Sequence, residues 1–153
     1  MPNPHILVIE DDEEARTMYS IMLRSWGYDV SEATTGQEGI RSARRHVPDL
    51  ILLDIMMPNV DGYEVCKALR SDPRFHQVPI LFLTALNASN DRIKGYTIGG
   101  DDFIPKSQVD YKELGIRIKA ALQRTERFQD LEGNGRKGLV IGLMSLRGGV
   151  GVS

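Results

Sequence analysis

Groups that could bind or transfer phosphate follow short apolar segments at four points in the sequence. Glu10 and Asp11 follow the first such segment, and Asp54 follows the third. Thr84 ends the fourth segment and Lys106 follows the fifth. Crowded carboxylates repel one another, and Mg²⁺ relieves that repulsion while also binding phosphate oxygens. A carboxylate beside such an ion can attack phosphorus, so we predict an acyl phosphate on Asp54, with Thr84 and Lys106 contacting the phosphoryl oxygens.

A structural role competes with this interpretation for each acidic residue. Aspartate and glutamate directly after a strand often cap the next helix, because they favour helix N-termini. That role suits Asp12, Glu13 and Glu14, and for Asp54 taken by itself the two interpretations are equally good. Suitable groups at four separate strand ends together favour the phosphate site.

Apolar runs and helical patterns alternate along the chain and must position these groups. The predicted strands are 5–9, 28–33, 50–53, 79–83 and 103–104. The predicted helices are 13–26, 36–46, 63–70, 90–98 and 111–128. This alternation predicts an α/β fold, a doubly wound parallel sheet of five strands with helices on both faces. Ligands bind such sheets at the carboxyl ends of the strands, where the acidic residues lie.

Four ordered motifs resemble the signatures of CheY-like response-regulator receiver domains. They are Ile6 to Asp11, Asp54 to Gly62, Leu83 to Ala85 and Gly100 to Lys106. The resemblance covers roughly residues 5–128. It implies a flavodoxin-like (βα)5 fold with strand order 2-1-3-4-5 and a function in two-component phosphorelay signalling.

The resemblance also implies which residues hold the metal ion. Glu10 and Asp11 would ligate Mg²⁺, directly or through water. Asp54 would bind the ion as well as accept the phosphoryl group, and the backbone carbonyl of Met56 would complete the protein ligands.

Three further residues are expected to respond to the phosphoryl group, which a sensor histidine kinase would supply. By the resemblance, Thr84 hydrogen-bonds a phosphoryl oxygen and Lys106 pairs with the group. Phe103 occupies the aromatic switch position, whose ring turns inward when Thr84 is drawn toward the phosphate. A homodimer would form through the output surface, which comprises helix 90–98, strand 103–104 and helix 111–128.

Two positions depart from the family pattern. Receiver domains commonly have proline directly after the lysine, often with a cis peptide bond, whereas here the order is Pro105, Lys106, Ser107. A cis bond to serine would cost about 3–4 kcal/mol, so we expect a reshaped loop. Glu10 stands where many members have aspartate, which is tolerable if a water molecule lies between its carboxylate and the metal.

Two other functions compete with the phosphorylation switch. The altered loop after Lys106 would suit a phosphate-independent docking module that keeps the fold and does not switch. A Mg²⁺-dependent phosphohydrolase would need a second aspartate where Met56 stands. We therefore expect a signalling domain that catalyses only its own phosphorylation and dephosphorylation, rather than an enzyme acting on external substrates.

The end of the chain carries a separate motif. We predict a receiver domain over 1–130, a polar, glycine-rich linker over 131–138 and the truncated, disordered start of a further domain over 139–153. Residues 142–153 are similar to the deviant Walker A loop of partition-type (ParA/MinD-like) ATPases. Val152 stands where the phosphate-binding lysine belongs, and Arg147 where the additional signature lysine belongs.

The composition of the chain bears on its partners and its cellular compartment. The net charge is −2, from 19 basic and 21 acidic side chains, which gives no basic field to attract nucleic acid or an anionic membrane. The single cysteine, Cys66, cannot form an internal disulfide and fits a reducing compartment. Because the first residues lack the pattern of a signal peptide and no apolar run could span a bilayer, we expect a cytoplasmic protein.

Overall fold

The computed structural model describes residues 2–57, 61–84, 99–105 and 110–138. For Thr84, Pro105 and residues 126–138, it describes the backbone only. The predicted helix 90–98, Lys106 with its following serine, and the predicted ATPase-like segment 139–153 lie outside the described residues.

Five parallel strands form one sheet in the order β2-β1-β3-β4-β5. Their bounds are β1 His5–Ile9, β2 Asp29–Ala33, β3 Leu50–Asp54, β4 Ile80–Thr84 and β5 Asp102–Pro105. Ile9 pairs with Leu53, and Asp54 pairs with Leu83, so the carboxyl ends of neighbouring strands meet at one edge. This arrangement confirms the predicted fold class and strand order.

The central strands carry the hydrophobic core. Every apolar residue of β3 is fully buried, and successive residues of β1 such as Leu7 and Val8 are buried alike. Alternate residues of a strand point to opposite faces, so both faces of the sheet are covered. Because both faces are buried, apolar residues in these strands do not alternate with polar ones.

The described residues form four helices: α1 Glu13–Ser25, α2 Gly36–Arg45, α3 Gly62–Arg70 and α4 Tyr111–Gly138, with a short 3₁₀ helix at Pro73–Phe75. Side-chain oxygens of Asp12, Thr35 and Asp61 accept backbone N–H groups in the first turns of α1, α2 and α3. Asp12 therefore serves as a helix cap, as one of the two interpretations of the acidic run predicts. Within the described residues, no helix combines the length and apolar character needed to cross a membrane.

The last helix is longer than the sequence predicts. It continues to Gly138, through the segment 131–138 that was predicted to be a linker. Glycine in a helix interior costs about 1 kcal/mol relative to alanine, whereas the neighbouring glutamate, arginine and lysine are among the better helix formers. The chain separates into two compact units, Met1–Ile118 and Lys119–Ser153. The predicted domain boundaries stay predictions.

Candidate phosphorylation and metal site

Three carboxylates meet at the carboxyl edge of the sheet. One oxygen from each of Glu10, Asp11 and Asp54 lies within 4.8 Å of the other two. Strands β1 and β3 are direct neighbours, which explains why residues so distant in sequence converge. Glu10 and Asp54 are almost completely buried (0% and 1% exposed), whereas Asp11 is exposed. The structure thus brings together the three acidic side chains predicted as metal ligands.

The junction between β3 and α3 orients Asp54. The Met56 N–H donates to Asp54 Oδ1 at 3.1 Å, which fixes the carboxylate relative to the loop. The Gly62 N–H donates to the Ile55 carbonyl at 3.0 Å, so the start of α3 is held against the end of β3. A Cβ at Gly62 would lie 2.5 Å from the Asp54 carbonyl oxygen, so only glycine permits this approach.

The backbone around Glu10 is held from several sides. Its N–H donates to the Ala33 carbonyl of β2 at 3.1 Å, and its Oε1 accepts the Asp12 N–H at 3.3 Å. The Arg16 guanidinium, from the first turn of α1, donates to the Glu10 carbonyl at 3.1 Å. Sequence reasoning missed Arg16, because nothing in its spacing shows that the side chain turns back toward the strand.

The donor set fits a hard divalent cation. All three groups offer carboxylate oxygen, the ligand type that Mg²⁺ prefers. Ligands on opposite sides of Mg²⁺ lie about 4.2 Å apart, given metal–oxygen distances near 2.1 Å. The 4.8 Å spread of the cluster is slightly wider, so one carboxylate would approach the ion or bind it through water.

The remaining predicted residues are described in part. The backbone of Thr84 ends β4 and pairs with Pro105, but its side chain lies outside the described atoms, as does all of Lys106. The Met56 side chain is 56% exposed. The roles assigned to these three residues stay predictions.

Phe103 lies inside the protein. Its side chain is 2% exposed, and its ring stacks on Phe82 with centroids 5.0 Å apart. Phe82 also contacts the ring of Tyr63 on α3, at 5.5 Å between centroids. The ring at the predicted switch position is therefore directed inward in this structure, and its switching role stays a prediction.

Comparison with known protein families matches residues 6–119 to the response regulator receiver domain. The DNA-binding dual master transcriptional regulator RpaA of Synechocystis is 44% identical over 125 residues, which cover 82% of this chain and 52% of RpaA. The alkaline phosphatase synthesis transcriptional regulatory protein PhoP of Bacillus subtilis is 41% identical, over 81% of this chain and 50% of PhoP. The chain thus spans about half the length of these curated relatives.

Solved structures give the same result. The receiver domain of the sensor histidine kinase PA1611 from Pseudomonas aeruginosa, with a magnesium ion coordinated in its active-site cleft, is 32% identical with a TM-score of 0.73. That match covers 79% of this chain and 98% of the PA1611 domain. A putative response regulator from Chloroflexus aurantiacus matches with a TM-score of 0.75 at 32% identity, over 79% of this chain and 98% of that one. With its fold, its acidic cluster and its sequence in agreement, this chain belongs to the response regulator receiver domain family.

Proposed function

We propose that Asp54 accepts a phosphoryl group from a sensor histidine kinase, in a reaction that depends on Mg²⁺ held by the acidic cluster. The observation that carries this proposal is the convergence of Glu10, Asp11 and Asp54 within 4.8 Å at the edge of the sheet. Asp54 ends the central strand β3 and is 1% exposed, between the buried residues Leu53 and Ile55.

The proposed reaction transfers a phosphoryl group from a histidine nitrogen of the kinase to a carboxylate oxygen of Asp54. An Asp54 carboxylate oxygen attacks phosphorus, a new oxygen–phosphorus bond forms, and the bond from phosphorus to the kinase histidine nitrogen breaks. The Met56 N–H at Oδ1 keeps the carboxylate in one orientation during the attack. Mg²⁺, when bound, would offset the negative charge shared by the carboxylates and the incoming phosphoryl oxygens.

Residues around Asp54 would complete the site. The backbone carbonyl of Met56 is the proposed fourth protein ligand for the metal. The position of Thr84 at the end of the adjacent strand supports a hydrogen bond from its hydroxyl to the phosphoryl group. Lys106 follows β5 in sequence, and we assign it the role of pairing with the phosphoryl oxygens.

Turnover of external substrates is not part of the proposal. A phosphohydrolase of this type would need an acid–base carboxylate two residues after its nucleophile, and that position is Met56. We therefore propose a signalling domain that catalyses only its own phosphorylation and dephosphorylation.

The proposed partners follow from the family. The chain would act in the cytoplasm, where a sensor histidine kinase would phosphorylate it, and a homodimer would form through the surface that includes β5 and the start of α4. Arg117 supports an ordered surface there, because it donates to the Phe103 carbonyl at 2.8 Å and pairs with Asp102 at 3.2 Å. We expect no binding of nucleic acid or membrane by this stretch of chain.

A separate proposal concerns residues 139–153. We infer from their motif alone that they begin an ATPase-like domain of the partition type. Because Val152 replaces the phosphate-binding lysine, we expect nucleotide hydrolysis by such a domain to be impaired.

Intact-mass measurement tests the main proposal. Incubation with acetyl phosphate and Mg²⁺ should add the mass of one phosphoryl group, and EDTA should prevent the addition. Asp54→Asn should abolish the adduct, whereas Asp12→Asn should retain it, because Asp12 caps α1 outside the cluster. Absence of the adduct in the wild-type protein would favour the phosphate-independent docking module instead.

A further inference from the structure

We propose that Arg16 is a positioning residue for the acidic cluster, holding the turn that carries the Glu10 and Asp11 carboxylates. The inference rests on the proposed function, because it concerns the same metal site. Arg16 is basic, so its charge alone would oppose the binding of a cation.

The Arg16 guanidinium connects three elements. It belongs to α1, donates through Nη1 to the Glu10 carbonyl at 3.1 Å and donates through Nε to Glu32 Oε1 of β2 at 3.0 Å. The Arg16 side chain is only 13% exposed, so these contacts are largely protected from solvent. The rigid geometry of the guanidinium allows both bonds to be made at once.

The orientation of the Glu10 carbonyl affects where the following residue, Asp11, is placed. The N–H of Glu10 is still bonded to β2, through the Ala33 carbonyl, but the chain turns away from the sheet immediately afterwards. The peptide that joins Glu10 to Asp11 therefore sets the direction in which Asp11 leaves the strand. A hydrogen bond from Arg16 to that carbonyl resists rotation of the peptide and keeps Asp11 near Asp54.

A charge role and a positioning role of Arg16 predict opposite changes in cation affinity when the residue is replaced. If the residue acted only through its charge, a neutral replacement would strengthen cation binding, because a positive charge near the site would be lost. If it positions the turn, the same replacement weakens cation binding, because the ligands are no longer held together. The direction of the change thus separates the two roles.

Arg24 offers a matched control on the same helix. It also pairs with Glu32, at 3.8 Å, and its Nη2 donates to the Val30 carbonyl at 3.5 Å. Neither of these contacts involves Glu10. Arg24→Gln consequently removes the same charge from α1 and disturbs the same carboxylate of β2, while leaving the bond to the Glu10 carbonyl in place.

The test is a titration of the full chain with Mn²⁺, with free Mn²⁺ measured by electron paramagnetic resonance and Mg²⁺ added as the competitor. We expect Arg16→Gln to weaken binding about 10-fold, as loss of a residue that orients metal ligands commonly does, and Arg24→Gln to leave it unchanged. Arg16→Lys should fall between the wild type and Arg16→Gln, because lysine keeps the charge but cannot bridge both acceptors.

Several results would overturn the inference. Binding by Arg16→Gln equal to or tighter than that of the wild type contradicts a positioning role. If Arg16→Gln does not fold, wild-type affinity in Arg16→Lys contradicts it instead. A wild-type chain that binds neither ion contradicts the proposed function itself, so the two failures are distinguishable.

Discussion

At the scale of single residues, Asp54 is buried on the central strand beside two other carboxylates. Burial and like charges both disfavour the ionised form of a carboxylate. The protein therefore carries an unfavourable electrostatic interaction at this edge when no cation is present. Binding of Mg²⁺ would relieve this repulsion.

Asp54→Asn should stabilise the metal-free protein. The substitution removes one of three clustered negative charges and keeps an oxygen that can accept the Met56 N–H. We expect the free energy of unfolding in EDTA to rise by about 1 kcal/mol, the order expected for like charges a few ångströms apart at a partly shielded site. Denaturant unfolding in EDTA measures this change.

The same experiment with Mg²⁺ supplies the control. Mg²⁺ should stabilise the wild-type protein by binding its folded state and should stabilise Asp54→Asn less. Asp12→Asn removes an equal charge outside the cluster and should respond to Mg²⁺ like the wild type. A lower stability of Asp54→Asn in EDTA would count against a crowded acidic site.

At the scale of elements, the junction of β3 and α3 determines how Asp54 is presented. Gly62 begins α3 directly against the backbone of Asp54 and Ile55, and Asp61 caps the helix through the Glu64 N–H. A strand and a helix that approach so closely leave no room for a side chain. A displacement of α3 would therefore press on the backbone of Asp54 and Ile55.

Gly62→Ala should lower the stability of the protein and slow the phosphorylation of Asp54. Its Cβ would lie 2.5 Å from the Asp54 carbonyl oxygen and 2.8 Å from the Ile55 Cα, and backbone atoms cannot move aside as a flexible side chain can. We expect a loss of about 2 kcal/mol in the free energy of unfolding and a slower gain of phosphoryl mass from acetyl phosphate. Thermal melts and timed intact-mass spectra measure the two effects.

Gly39→Ala is the matched control for this substitution. Its Cβ would meet the flexible end of the Ile9 side chain and not the backbone of Asp54. It should lower stability and leave the rate of phosphoryl addition unchanged while the protein is folded. Equal rates for Gly62→Ala and the wild type would show that the junction does not control the nucleophile.

Much of the fold and site follows from sequence for identifiable reasons. Two-sided burial makes β1 and β3 continuously apolar, and parallel strands bring Glu10, Asp11 and Asp54 to one edge. The role of Arg16 does not follow, because it depends on the side-chain conformation that reaches the Glu10 carbonyl. The extension of α4 to Gly138 was also missed, since helix propensity is a weak guide where glycines alternate with good helix formers.

At the scale of the whole molecule, the described site residues all lie in the unit Met1–Ile118, and the family match covers residues 6–119. The sheet that assembles the cluster is complete within the same unit. The chemistry proposed for Asp54 should therefore not require the end of the chain.

A chain shortened to residues 1–138 tests this independence. It keeps all of α4 as described and removes the segment with the ATPase-like motif. We expect its yield of phosphoryl adduct and its affinity for Mn²⁺ to equal those of the full chain. A substantial loss of either would mean that residues 139–153 contribute to the site.

The position of the phosphoryl group in the chain decides whether Asp54 is the acceptor. Borohydride reduces an acyl phosphate of aspartate to homoserine, so peptide sequencing by mass spectrometry can identify the modified position. After treatment with acetyl phosphate and Mg²⁺, we predict homoserine at position 54 and unchanged aspartate at positions 11, 12 and 61. Homoserine at another position, or none in protein that has gained the phosphoryl mass, would contradict Asp54 as the acceptor.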